Sequence, residues 1–135
     1  MEEVLKLYKN DVNLVFKNLP LPFHPEAKPA AIAALAAQEQ GKFWEMHDAL
    51  FKNQQTLGKD TYLKLAQELG LDMDKFKADL GSEKLAKRVE EDAALASKHG
   101  VNGTPGFFVG GVLVSGAQPV PAFKTIIDRW LKGDK

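Results

Sequence analysis

The stretch Val101-Asn102-Gly103-Thr104-Pro105-Gly106-Phe107-Phe108-Val109, followed by Gly110-Gly111 and Val112-Leu113-Val114-Ser115-Gly116, constrains this chain more than any other. A proline at the first position of a strand gives up a ladder donor at little cost, and an X-Pro bond can be cis where other peptide bonds almost never are. Pro105 therefore opens an aromatic strand from a loop able to place backbone groups unusually. Gly110-Gly111 suits a two-residue turn with positive φ, so the pattern predicts a hairpin in which Phe107 to Val109 pairs antiparallel with Val112 to Val114. Taken alone, Thr104-Pro105 reads as an ordinary trans turn, because only about one X-Pro bond in twenty is cis.

Helical periodicity accounts for most of the remainder. Val4, Leu5, Leu7 and Tyr8 share roughly one face, with no capping residue ahead of them. From Pro29, placed for a first helical position, the alanine-rich run Ala30 to Gln40 predicts a closely packed buried helix that ends before Gly41. Phe43, Met46, His47, Leu50 and Phe51 form the stripe of an amphipathic helix. Asp60 is placed to cap a helix carrying Leu63, Ala66 and Leu69, and Asp72 to cap a short one through Phe76 and Leu80. Ser82 opens a longer helix with Leu85, Val89, Ala93 and Ala96 inward and Gly100 as its stop, and these three helices form one insert. After Pro119 and Pro121, a last helix carries Phe123, Ile126, Ile127, Trp130 and Leu131. Between the first helix and a proline-rich loop at Pro20 to Pro25, the alternation of Val12, Leu14 and Phe16 within Asp11 to Lys17 predicts a strand with a buried face.

Composition removes whole classes of function. A chain of 135 residues fits one domain, long enough to bury roughly two-thirds of its unfolded surface. Lys+Arg and Asp+Glu are both 18, so no net field draws in nucleic acid or an anionic membrane, and no nucleic-acid partner is expected. The longest nearly pure apolar run, Pro29 to Ala37, is too short for a membrane span, and no basic-then-apolar start resembles a secretion signal. With no cysteine there is no internal disulfide, thiolate catalysis or cysteine-ligated metal. His24, His47 and His99 are far apart and lack metal-ligand spacing, so no metal site is expected.

The remaining polar and aromatic motifs read as structural. His47 sits on an apolar stripe as a core histidine, and His99 in a last helical turn favours the dipole. Glu90-Glu91-Asp92 reads as a solvated helix face, since adjacent helical residues point in different directions. Gly100, Gly103, Gly106, Gly110 and Gly111 lack the Gly-Lys-Ser/Thr ending of a phosphate loop and read as turn glycines. Ser115 lacks a nucleophile elbow, and the pairs Phe43-Trp44 and Phe107-Phe108 read as core aromatics.

Three segments carry a resemblance that covers almost the whole chain: Phe23-His24-Pro25-Glu26-Ala27-Lys28-Pro29-Ala30-Ala31, Gln40-Gly41-Lys42-Phe43-Trp44-Glu45-Met46-His47-Asp48, and Gly100 through Pro105 with Ser115-Gly116-Ala117-Gln118-Pro119. Together they resemble the DsbA-like thiol:disulfide oxidoreductases. The resemblance implies an α/β fold, thioredoxin-like (DsbA-like) with an inserted helical subdomain. Residues 1–25 and 100–135 would form the thioredoxin core of a single domain, 1–135, and residues 26–99 the helical insert. It also implies a cis bond at Thr104-Pro105 and a substrate-binding role for both residues, the backbone before the proline pairing with an extended polypeptide. No catalytic residue, cofactor or metal ligand is assigned.

In such proteins a Cys-x-x-Cys pair opens the helix whose tail resembles residues 1 to 9, after a strand, and the helix N-terminus stabilises the attacking thiolate. Neither the strand nor the pair is in this sequence. The expectation is a truncated domain, inactive by itself. Its intact parent would exchange disulfides with extended or unfolded polypeptides and a redox partner protein, outside the cytoplasm, as in a periplasm. The strand at Val12 to Lys17 and the one at Phe107 to Val109 would then have open edges. They are expected to close on one another, or to borrow a partner from a second copy as a homodimer or strand-swapped assembly. Two other functions fit the same residues: a non-enzymatic peptide-binding module using the same groove, and a glutathione-dependent isomerase or transferase of the same fold.

Overall fold

The structure, a computed structural model, describes residues 1–133. In chain order it runs α1 (Glu2–Leu7), α2 (Ala27–Gln38), α3 (Phe43–Lys52), a single 3-10 turn (Gln54–Thr56), α4 (Lys59–Glu68), α5 (Met73–Leu80), α6 (Glu83–Lys98), β1 (Gly106–Val109), β2 (Val112–Ser115) and α7 (Val120–Leu131). The chain divides into two units, one of Met1–Lys17 with the chain from Ala96 on, the other Asn18–Leu95. Each has an apolar core of its own.

The helical unit is built on α2. Five consecutive residues, Ala33 to Ala37, are buried, so this helix meets neighbours on all sides rather than along one stripe. Four of the five are alanine, which lets α3, α4 and α5 approach closely and send in Met46, Leu50, Tyr62, Leu65 and Phe76. The helix starts at Ala27, so Pro29 is its third residue and not its first. Pro29 has no N–H to lose from the ladder in that first turn, which is why the helix tolerates it there. Asp60 is not a cap either. Gly58 holds the N-cap position of α4, and Asp60 falls in the first turn, where a carboxylate still favours the dipole. Asp72 does cap α5, its side chain accepting from Lys75 N at 3.2 Å, and Ser82 Oγ accepts from Leu85 N at 3.4 Å ahead of α6.

Within this unit the acidic run on α6 is not simply solvated. Asp92 Oδ2 accepts both the backbone N–H of Asn18, at 3.0 Å, and its side-chain Nδ2, at 3.1 Å. Among the described residues Asn18 is, the tyrosines aside, the one buried polar side chain, at 5% exposure, and the Asp92 carboxylate on that helix face satisfies it. Glu90 pairs with Lys28 at 2.7 Å in the open, an exposed ion pair of small energetic weight.

The other unit packs α1, α7 and the hairpin around Val4, Tyr8, Val114, Phe123 and Ile127. Phe107 meets Phe123 edge-on with centroids 5.0 Å apart, and Tyr8 Oη donates to Asp128 Oδ1 at 2.6 Å, joining α1 to α7. The strand predicted over residues 11–17 does not form. Residues 12–20 carry no regular secondary structure, and the described residues contain one sheet, β1 with β2. Val12 does pack against the core, but Leu14, Val15 and Phe16 are 36%, 72% and 40% exposed. Alternation shows that one face could be buried; a strand also needs a neighbour to take its N–H and C=O groups. Direct closure of this segment on β1 is likewise absent among the described residues.

Candidate functional site

The loop between α6 and β1 is held at both ends. Gly100, at φ 77°, turns the chain out of α6 so that Val101 N donates back to Ala96 O at 2.8 Å, the hydrogen bond of a glycine-terminated helix. At the far end, Pro105 O accepts from Gly116 N at 2.8 Å, extending the hairpin by one pair beyond its strands. Between these anchors, Val101 folds over Gly106: a Cβ on Gly106 would come within 2.7 Å of Val101 Cγ1. Gly106 is therefore more than a turn residue, because its missing side chain is what admits Val101.

The Thr104-Pro105 peptide bond is cis. Thr104 and Pro105 are both exposed, and among the described residues no hydrogen bond engages Thr104. The hairpin that follows has the register Phe107↔Val114, Phe108↔Leu113 and Val109↔Val112, turning through Gly110 and Gly111 at φ 55° and 86°. Two successive positive φ values are what a two-residue turn matched to the twist of the strands requires. Because Pro105 and Gly116 are hydrogen-bonded, residues 105, 107 and 109 face β2, and the backbone groups of Gly106 and Phe108 point to the other edge of β1. Among the described residues no strand pairs with that edge.

Aromatic residues divide by face. Phe107 is half-buried against α7, whereas Phe108 is 53% and its cross-strand neighbour Leu113 is 42% exposed. His99 stands edge-on to Phe108, with ring centroids 6.1 Å apart. His47 is not fully enclosed: it lies along α3 between Phe43, Trp44 and Phe51, with Nδ1 at 3.0 Å from Asp48 Oδ1. His24 stacks at a tilt on Phe23 in the exposed loop before α2. Among the described residues no group of three His, Cys, Asp or Glu could hold a metal ion.

A sequence profile described as the DSBA-like thioredoxin domain matches residues 1–128. The chain belongs to that family. Its fold is the DsbA-like thioredoxin fold with a small two-stranded sheet. A thioredoxin-like oxidoreductase from Silicibacter pomeroyi superposes with a TM-score of 0.82 at 31% identity, over 97% of this chain and 75% of that one. The thiol-disulfide exchange protein alpha-DsbA2 from Wolbachia pipientis gives a TM-score of 0.80 over 96% of this chain and 72% of that one, at 22% identity, a likeness of fold.

Curated relatives of this DsbA-like chain carry another name. It is 41% identical over 117 residues to the Na(+)/H(+) antiporter NhaA 3 of Salinispora tropica, a match of 86% of this chain and 18% of that protein. It is 38% identical over 136 residues to the Na(+)/H(+) antiporter NhaA 1 of Salinispora arenicola, covering 100% of this chain and 21% of that protein. The chain thus spans about a fifth of the length of the curated relatives it matches. Among the described residues, no helix is long and apolar enough to cross a membrane.

Proposed function

We propose that these residues are the polypeptide-holding body of a DsbA-like thiol:disulfide oxidoreductase, with Thr104 and Pro105 at the place where an extended substrate is bound. One observation carries this reading: Thr104, exposed and without a hydrogen-bond partner among the described residues, leads straight into the edge of β1 that no strand covers. An extended peptide laid there gains main-chain hydrogen bonds by strand addition, with little demand on its sequence. The 135 residues contain no cysteine, so the thiolate that attacks a substrate disulfide comes from outside them. Taken by themselves they hold substrate and do not exchange disulfides. The partners on this reading are extended or unfolded polypeptides and a redox partner protein, in an extracytoplasmic compartment.

The test is a fluorescence titration of the 135-residue chain with a dye-labelled, cysteine-containing unfolded peptide, run beside an insulin-reduction assay. Binding that falls about tenfold in Pro105→Ala, with insulin reduction no faster than buffer, supports the reading. Equal binding by Pro105→Ala, or turnover by the purified chain, overturns it. A non-redox peptide-binding module using the same loop is the second reading, and the sequence without cysteine favours it. It is selected if peptide binding is indifferent to oxidation of the peptide's own thiols. Mass by light scattering that rises to a dimer, and falls back on adding peptide, would identify a second copy as a competing occupant of the β1 edge.

A further inference from the structure

We propose that the Asn102-Gly103 bond is a site at which the folded protein modifies itself, converting Asn102 to aspartate or isoaspartate through a cyclic imide. The Gly103 amide nitrogen gives its proton to solvent base and attacks Asn102 Cγ. The new N–Cγ bond forms, the Cγ–Nδ2 bond breaks, and the leaving nitrogen takes a proton from water and departs as ammonia. Water then opens the five-membered ring at either carbonyl. Attack at Cγ leaves aspartate; attack at the main-chain carbonyl carbon leaves isoaspartate, with the backbone running through Cγ.

The attack needs an amide nitrogen that is not engaged elsewhere, a following residue with no side chain in the way, and room for the ring to close. Asn102-Gly103 meets all three conditions. Both residues are exposed and outside regular structure. No hydrogen bond among the described residues uses Gly103 N or the Asn102 side chain. A Cβ built on Gly103 would meet nothing within 4 Å, so the space around the nucleophile is open. Glycine also leaves the backbone free to reach the geometry the ring demands.

The other four asparagines each fail the second condition, being followed by Asp11, Leu14, Leu19 and Gln54, and three of them are held in other ways as well. Asn10 precedes Asp11, whose N–H is held by Tyr8 O at 3.0 Å. Asn13 precedes Leu14, whose branched side chain shields the nitrogen. Asn18 is 5% exposed, and its Nδ2 is bonded to Asp92. Asn53 donates its Nδ2 to Ala49 O at 2.8 Å.

The place matters because the loop is fixed on both sides, at Val101 N on Ala96 O and at Pro105 O from Gly116 N. Isoaspartate inserts an extra backbone atom between these two anchors, and either product adds a negative charge to a chain whose charges balance at 18 and 18. If Thr104 and Pro105 bind peptide as proposed above, the product form binds less well; the modification itself does not rest on that reading.

The experiment is incubation of the full 135-residue chain at mildly alkaline pH, native and in parallel in urea, followed by trypsin digestion and mass spectrometry of the peptide His99–Lys124. The expected result is the amide-to-acid mass shift at Asn102 in native protein, before any change at Asn10, Asn13 or Asn53, in two chromatographic forms of which one is labelled by an isoaspartate methyltransferase. Gly103→Ala, which has open space for its methyl group, should fold and lose the conversion. Native protein in which Asn102 keeps its amide as long as Asn13, or converts only in urea, overturns the proposal. So does undiminished conversion in Gly103→Ala.

Discussion

The indole of Trp130 lies where a side chain on Gly110 would have to stand: a Cβ built there runs into Nε1, Cδ1 and Cε2 of the ring. Helix α7 thereby reaches the hairpin turn through an aromatic that remains 42% exposed. Gly110 also has φ 55°, so two independent demands exclude a side chain. Gly110→Ala is expected to destabilise the protein by about 1–3 kcal/mol through overpacking, with the left-handed backbone adding to it. Urea unfolding of Gly110→Ala, Trp130→Ala and the double variant checks this. The double variant should lose less than the sum of the singles, because the clash exists only when both groups are present.

Asn18 and Asp92 make a second coupled pair. Asp92→Ala leaves the buried N–H and amide of Asn18 without their acceptor, at an expected loss of about 1–3 kcal/mol. Glu91→Ala, one residue earlier and exposed, is expected to stay within about 0.5 kcal/mol of the parent. Equal effects in thermal melts would mean that Asp92 is no more than another surface charge.

Tyr62 joins α4 to the residue before α2, its hydroxyl donating to Glu26 Oε2 at 2.7 Å while the ring is 3% exposed. Burial first, and then the hydrogen bond to the carboxylate, push its ionisation well above the ordinary phenol value of 10.0. The neutral phenol is favoured in the folded state, so this stabilisation is complete below the ordinary value and is lost as pH rises from there toward the folded one. Tyr62→Phe should cost about 1–2 kcal/mol near neutrality and flatten the alkaline limb of the stability profile. Melting temperatures of both proteins from neutral to strongly alkaline pH would show it.

Asp128 contributes to the acid limb, as does Glu90 beside Lys28. Lys124 Nζ, at 2.6 Å from Oδ2, and then the Tyr8 hydroxyl, at 2.6 Å from Oδ1, hold the Asp128 carboxyl below the ordinary value of 3.8. The folded state favours the charged form, so its contribution is complete above the ordinary carboxylate range and lost as pH falls through the depressed folded value. Asp128→Asn is expected to weaken the protein at neutral pH and to narrow its difference from the parent as the solution is acidified. A gap that stays constant with pH would remove Asp128 from the account.

Much of the helical plan was legible because each helix carries its own signals. The Phe43-Met46-His47-Leu50 stripe, the Asp72 cap on Lys75 N and the Gly100 stop are local devices, and each was found where its sequence placed it. The hairpin was legible for the same reason, since two glycines with positive φ between short apolar runs leave few alternatives. The candidate site was legible only as a sequence position, Thr104-Pro105. Nothing local announced that Val101 folds over Gly106, that Gly116 closes on Pro105, or that Trp130 excludes a side chain at Gly110. Gly106 and Gly110 look like any other glycine in a turn until the atoms opposite them are known.

Residues 11–17 mark where local pattern stops being informative. Their alternation is that of a strand, yet a strand is a relation between two segments, and the described residues offer this one no ladder. Asp92 shows the converse: within a run of three acids, nothing in the order of residues separates the carboxylate that satisfies a buried asparagine from its solvated neighbour. Periodicity, caps and turn glycines act over a few residues, so the amino-acid order alone settles which segments coil and where they stop. Buried hydrogen bonds, close approaches and strand edges depend on residues far apart in the chain, and only their packing in space reveals them.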